Sequence, residues 1–255
     1  MLTAAMPENH PAEGTAATDW LAWPGLAAIA STTVNELLPD GARAVVVAPH
    51  PDDEVLAVGG LLAQLAAQER EICVVAVTDG IATPVDSPHW PPALDNRTRM
   101  RPIESRRALH RLGVAAEPVR LGFPDGSLHI LRRMLAERLL PLLRPTDVVF
   151  TTWRMDGPPD HEATGHACAF AAARSGARLV ETPVRAWHWA VPGDVRLPWR
   201  RARRLPLDTQ ALDRKRNALE AFETQLQSVP SILGDPNLCN SAVTRAAWPF
   251  EVMFM

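Results

Sequence analysis

The chain has 255 residues, 47% of them hydrophobic and 22% charged, with a formal net charge of −3. This is ordinary globular composition, enough to bury the core of one α/β domain, and it gives no general attraction to nucleic acid or an anionic membrane. No apolar run approaches the ~20 residues of a membrane span, and no Lys or Arg precedes Arg43, so a secretory n-region is missing and a cytoplasmic protein is expected.

Residues 1–18 are small, polar and Pro/Gly-containing, and are expected to form a poorly ordered arm ahead of a single domain over 19–255. A helix is predicted over 26–38 and a strand over Ala44–Ala48. Leu61, Leu62, Leu65 and Ala66 recur at helical spacing within a helix over 56–69. A second strand over 71–77 ends at Thr78-Asp79-Gly80. Residues 82–98, rich in Pro and short polar residues, read as a long functional loop. A helix over 103–112 stops at Gly113, and a short strand over 119–121 leads into the turn Gly122-Phe123-Pro124-Asp125-Gly126. Helix 128–143, strand 147–152, a polar loop to Asp160, helix 161–175, strand 184–190 and an exposed helix over 209–227 complete the order. Strands alternating with helices predict an α/β fold of three layers, a mostly parallel sheet with helices on both faces in the Rossmann-like manner. The cluster Arg196, Arg200, Arg201, Arg203 and Arg204 reads as a solvated loop. Cys73, Cys168 and Cys239 have no paired spacing, and the first two lie in apolar segments as inert thiols.

The chemistry concentrates behind the first strand. Ala48-Pro49-His50-Pro51-Asp52-Asp53-Glu54 places one imidazole and three carboxylates on the turn leaving a run, Ala44-Val45-Val46-Val47, that suits a strand covered on both faces. In open α/β sheets ligands bind at the carboxyl ends of strands. There His50 and Asp53 can offer zinc a nitrogen and an oxygen, while Asp52 stays available for other work. The alternative is a plain helix start, with Pro51 near N1 and acidic residues in the first turn complementing the dipole. The strand 147–152 ends in a similar loop, Trp153 to Glu162. If the two strands are parallel neighbours, His161 becomes a third ligand, and two His with one carboxylate and an open position is how catalytic zinc is held.

These segments resemble the LmbE-like (PIG-L) family of metal-dependent N-acetylglucosaminyl deacetylases. The family's first motif is present whole as His50-Pro51-Asp52-Asp53-Glu54, and its second as Pro158-Pro159-Asp160-His161. The likeness runs from about Val45 to Gln227, through Thr78-Asp79-Gly80, Arg101-Pro102-Ile103-Glu104, Leu121-Gly122, Asp125 and Trp187-His188-Trp189. The resemblance implies that His50, Asp53 and His161 hold one divalent metal ion, expected to be Zn2+. It makes Asp52 the general base for the metal-bound water, Asp160 a supporting residue, and Arg101 and Asp125 the residues that bind sugar hydroxyls. The implied reaction removes an acetyl or other acyl group from the amide nitrogen of an amino sugar or glycoconjugate.

One position departs from the family. Where its second motif begins with a His that stabilises the oxyanion or protonates the leaving amine, this chain has Pro158, which can do neither. The chain contains no Tyr to take over, so His188, expected on a strand of the same sheet, is the substitute within the sequence. His129 and His89 are expected on the surface, and His166 is expected to face away from the site. Two other readings stay open: a catalytically weakened metal- and sugar-binding member, and a metallo-amidohydrolase whose substrate supplies the missing donor. The substrate is a small acetamido sugar or glycoconjugate whose identity lies in loops 82–98 and 153–159. A set of two His and one carboxylate accepts several divalent ions.

Overall fold

The computed structural model describes residues 14–82, 92–226 and 240–255, and its centre is the buried run Ala44–Ala48, strand β1. Ala44 and Val46 enter one hydrophobic core while Val45 and Val47 enter another on the opposite face. That is why the run carries no polar alternation. In chain order the elements are α1 (Ala17–Ala22), α2 (Pro24–Ala27), α3 (Val34–Leu37), β1, α4 (Asp53–Ala67), β2 (Ile72–Ala82), α5 (Pro92–Leu112) and β3 (Val119–Asp125). There follow α6 (Leu128–Leu139), β4 (Val148–Thr152), α7 (Pro159–Ser175), β5 (Arg178–Thr182) and α8 (Ala186–Trp189). The chain then continues through β6 (Ala202–Pro206), α9 (Thr209–Leu219), α10 (Glu223–Leu226), α11 (Asn240–Ala246) and β7 (Phe250–Phe254).

Among the described residues these strands form one sheet in the order β3-β2-β1-β4-β5-β7-β6. The first five are parallel, and β7 runs antiparallel to both β5 and β6. Helices α4, α5 and α9 cover one face through Leu61, Leu65, Leu109, Leu112 and Leu219, and α6 and α7 cover the other through Leu135, Leu139, Ala167 and Ala171. The chain winds outward from β1 to β3, then returns to lay β4 on the other side of β1. The carboxyl ends of β1 and β4 therefore flank the point where strand order reverses, which is where α/β sheets open a crevice.

Helix α4 is broken at Val58 (φ −140°, ψ 23°). The Glu251 carboxylate accepts the backbone N–H groups of Gly60 and Leu61 at 2.7 and 3.0 Å, as an N-cap would. Lys215, buried beside it, pairs with Glu251 at 2.6 Å and donates to the Leu56 carbonyl at 3.3 Å. The two side chains thus satisfy backbone groups that the break exposes and fix the direction of the helix's first turn, which carries Asp53 and Glu54.

Several expectations are corrected. Residues 1–13 lie outside the described residues, but 14–18 are in place. The Thr15 hydroxyl donates to the Ala190 carbonyl at 2.6 Å, and Trp20 anchors α1 by donating its indole N–H to the Trp187 carbonyl at 2.9 Å. The helix expected over 26–38 is two short helices, α2 and α3. Thr33 starts the second with a capping box to Glu36, and Ser31 between them bridges to Arg204. Residues 184–190 are not a strand. Asp156 accepts the backbone N–H groups of Val184, Arg185 and Ala186, which starts helix α8 and buries Trp187 and Trp189 in an aromatic cluster. The basic stretch is only partly a loop, since 202–206 form β6 by pairing with β7. Arg196 there is held by Asp194 and lies over the Trp189 ring, and Arg204 lies over Phe250. Residues 92–98 of the expected loop belong to α5, and residues 83–91, His89 among them, fall outside the described residues, as does Cys239. The predicted helix over 209–227 divides into α9 and α10, and α9 buries Ala211, Ala218 and Leu219 instead of lying exposed.

Candidate metal centre and catalytic cleft

The loop after β1 is held rigid before any ligand is considered. Pro49 and Pro51 have fixed φ and no N–H. The Pro49 carbonyl accepts from the Thr78 hydroxyl at 2.9 Å and the Pro51 carbonyl from Arg101 at 3.4 Å, while Arg101 also donates to the Gly80 carbonyl at 2.8 Å. The loop turns into α4 through Asp52, whose φ of 119° and ψ of −30° are rare for a residue with a side chain. Its N–H is held by the Glu54 carboxylate at 3.1 Å, and Glu54 is itself bonded by Ser105. Backbone strain of this kind persists only where the surroundings impose it, and it collects at functional sites.

His50, Asp53 and His161 come together at the switch point. Asp53 Oδ2 lies 3.4 Å from His50 Nδ1 and 3.4 Å from His161 Nε2. The remaining nitrogen of each ring is engaged by a carboxylate. His161 Nδ1 lies 2.8 Å from Asp156 Oδ2, while His50 Nε2 lies 3.0 Å from Asp125 and 3.2 Å from Asp160. Each ring can therefore donate its N–H to that carboxylate and turn a lone pair toward Asp53, the arrangement that orients metal-bound histidines. Zinc–ligand bonds of ~2.0–2.1 Å in a tetrahedron set donor atoms about 3.3–3.4 Å apart, which matches both separations. The donor set fits a divalent ion.

Among the described residues a second trio, His50 with Asp125 and Asp160, could also hold an ion. Asp160 argues against it. Its Oδ2 accepts the Gly126 N–H at 2.6 Å and its Oδ1 the Leu128 N–H at 3.0 Å, so the carboxylate is already committed to the start of α6.

The electrostatics follow from crowding. Burial raises the Asp52 carboxyl, and the Asp53 charge beside it adds to the effect, taking it to about 8. Burial works in the same direction on Asp53, but the imidazoles of His161 and His50 outweigh it and bring this group down to about 2. For His50, burial opposes the charged form, yet Asp125, Asp160 and Asp53 hold its pKa well above the ordinary value. Two imidazoles with the carboxylates of Asp52, Asp53, Asp125, Asp156 and Asp160 around them make a site that favours a cation.

A cleft of about 170 Å³ opens over these groups, lined by His50, Asp52, Asp53, Leu56, Arg101, Asp125, Pro158, His161 and Arg185. Arg101 and Asp125, expected to bind sugar, both line it. They also have internal duties: Arg101 fixes the strained loop and Asp125 orients His50. His188 is not part of the lining. It belongs to a neighbouring cavity shared with Trp248, Arg245 and Glu251, and its ring packs against Gly14. The strand expected to carry His188 toward the cleft does not form, and the residue lies on α8 instead. His129 and His166 are exposed.

The sequence reading missed Asp156 and Arg185. Asp156 is fully buried and accepts from His161 and from three successive backbone N–H groups, tying the His161 ring to α8. The one signal was its place in an acidic loop after a buried strand, a loop that also offered Asp160 and Glu162.

Residues 45–172 match the sequence profile of PIG-L, GlcNAc-PI de-N-acetylase, which is more than half of the chain. The chain belongs to the PIG-L family. No curated protein sequence matches this PIG-L member. Among solved structures, the zinc-inhibited form of teicoplanin deacetylase superposes with a TM-score of 0.63 at 20% identity, covering 84% of this chain and 97% of that one. The deacetylase of the A40926 pseudoaglycone gives 0.58 at 24% identity, again covering 84% and 97%. N,N′-diacetylchitobiose deacetylase from Pyrococcus horikoshii gives 0.50 at 22% identity, covering 74% and 72%. At these identities the likeness is one of fold. None of the helices among the described residues is long and apolar enough to cross a membrane.

Proposed function

We propose that this PIG-L member is a divalent-metal-dependent N-deacetylase of an acetamido sugar or glycoconjugate, with zinc the first ion to test. The carrying observation is the triangle of His50 Nδ1, Asp53 Oδ2 and His161 Nε2, whose two 3.4 Å separations suit zinc and whose rings are both oriented from behind by carboxylates. A divalent ion held there supplies a Lewis acid that acidifies water, polarises an amide carbonyl and favours the ionised form of nearby carboxylates. The chain's own residues do the rest. Asp52, held in the cleft lining by its strained backbone, takes the proton from the attacking water. It then returns that proton to the amide nitrogen as the C–N bond breaks, giving a carboxylic acid and an amine. Arg101 and Asp125 present a donor and an acceptor from the cleft wall to sugar hydroxyls.

Pro158 keeps the weakened, binding-only reading in contention, because the cleft wall there has no proton to donate. One experiment separates the two. Protein stripped by a chelator is reloaded with one equivalent of zinc, and amine release from N-acetylglucosamine and N,N′-diacetylchitobiose is followed. One equivalent is the ceiling because a fold relative was captured in a zinc-inhibited form. Turnover that needs metal and that Asp52→Asn abolishes while keeping its zinc supports the deacetylase. Saturable sugar binding by the zinc-loaded wild type with no amine released supports the binding protein.

A further inference from the structure

We propose that Arg185 is the catalytic residue that bonds the acyl oxygen as it becomes an oxyanion, the task Pro158 cannot perform; this rests on the deacetylase reading above. Three observations converge on it. Arg185 lines the same cleft as Asp52, the three ligands and Pro158. Its position is fixed to the metal centre by a single atom, because Asp156 Oδ2 accepts both the Arg185 backbone N–H at 2.9 Å and His161 Nδ1 at 2.8 Å. The Arg185 amide and the His161 ring are thus no further apart than two hydrogen bonds laid end to end, a span an arginine side chain exceeds. The loop bearing Pro158 is locked to the same helix: Trp189 donates to the Asp156 carbonyl at 2.7 Å, and Gly157, at φ +108°, has no room for a Cβ against that indole.

The chemistry suits a guanidinium. It carries five N–H donors in a rigid plane and keeps its charge at any working pH. It can therefore hold a protein partner and still donate to a substrate oxygen. As the water oxygen bonds to the acyl carbon, the carbonyl π pair moves to the acyl oxygen, where Arg185 donates. The proton released by the water goes to Asp52 and then to the nitrogen as the C–N bond breaks. Arg185 transfers no proton, so the motif histidine's two duties divide here between Arg185 for charge and Asp52 for the proton.

Methylphosphonate, a tetrahedral anion shaped like the hydrated acetyl group, is the probe, titrated into the zinc-loaded protein by calorimetry alongside Arg185→Gln and Arg185→Lys. Both substitutions keep the backbone N–H that Asp156 holds, so α8 retains its cap. The expected result is a Kd at least ~10-fold weaker for Arg185→Gln, partial recovery in Arg185→Lys, and zinc affinity within twofold of wild type in both. With N-acetylglucosamine, kcat falls ~10²–10³-fold for Arg185→Gln while KM barely moves. Equal methylphosphonate affinity in wild type and Arg185→Gln, or no binding by the zinc-loaded wild type, overturns the assignment. Failure of the deacetylase reading looks different: the wild type then takes up no zinc, or Asp52→Asn turns over sugar as fast as wild type does.

Discussion

Replacing Asp156 by asparagine tests the support of the candidate metal centre with a change of one atom. Asp156 Oδ1 accepts the N–H groups of Val184 and Ala186 at 3.0 and 2.8 Å, and Oδ2 accepts Arg185 N–H and His161 Nδ1–H at 2.9 and 2.8 Å. An amide has only one acceptor oxygen. Whichever way the substituted side chain is turned, two of the four donors face an NH₂ group instead. Each lost bond to a charged acceptor is worth about 1.5–3 kcal/mol, and at full burial no water replaces it. The expected destabilisation is about 3–6 kcal/mol, a large part of the ~5–15 kcal/mol that holds a typical domain folded. With the amide NH₂ turned toward His161, the ring is also freed to place its proton on Nε2, the nitrogen proposed to face the ion, so zinc affinity should then fall ~10–100-fold. Urea unfolding of the metal-free protein and zinc competition with a chromophoric chelator read the two effects separately. A stability change below ~1 kcal/mol together with zinc affinity within twofold of wild type would refute the reasoning.

Two further outcomes follow from packing and burial. Gly165→Ala adds about 1 kcal/mol of helix propensity to α7, but the new Cβ would sit 2.6 Å from the Thr152 carbonyl oxygen and 2.8 Å from the Arg154 nitrogen. Both are backbone atoms that cannot step aside, so overpacking wins and Tm should fall; a rise would show that α7 is not pressed against β4. Burial pushes the Cys168 thiol up to about 12, so iodoacetamide at pH 8 should label it only after unfolding. Stability linked to this thiol is present below about pH 9, the unfolded value, and is lost as pH climbs toward 12. Native-state labelling at the rate of a free thiol, read by peptide mass mapping, would contradict this.

What could be read from the sequence was local. The run Val45-Val46-Val47 announced a doubly covered strand and the His-Pro-Asp-Asp-Glu turn announced a site, because both signals lie within a few consecutive residues. The crevice joining His50 to His161 was legible once β1 and β4 were taken as neighbours, which the family resemblance favoured. The antiparallel edge was not legible: Arg203 and Arg204 make β6 read as a solvated loop, yet 202–206 pair with β7 and the Arg204 guanidinium lies over the Phe250 ring. The strand expected over 184–190 failed for a related reason. Its Trp-His-Trp pattern suits a sheet, but a carboxylate from Asp156, 28 residues upstream of Val184, caps it into a helix. That long-range bond carried the error in placing His188, and it is also what brings Arg185 to the cleft.

The proposed chemistry requires one divalent ion between His50 Nδ1, Asp53 Oδ2 and His161 Nε2. Crystals of the protein loaded with one equivalent of zinc, measured on both sides of the zinc absorption edge, test it most directly. The expected result is a single anomalous peak within ~2.0–2.2 Å of those three atoms, with Asp52 outside bonding distance of the ion. A peak bound by His50 Nε2, Asp125 and Asp160, or no ordered zinc in the cleft, would contradict it.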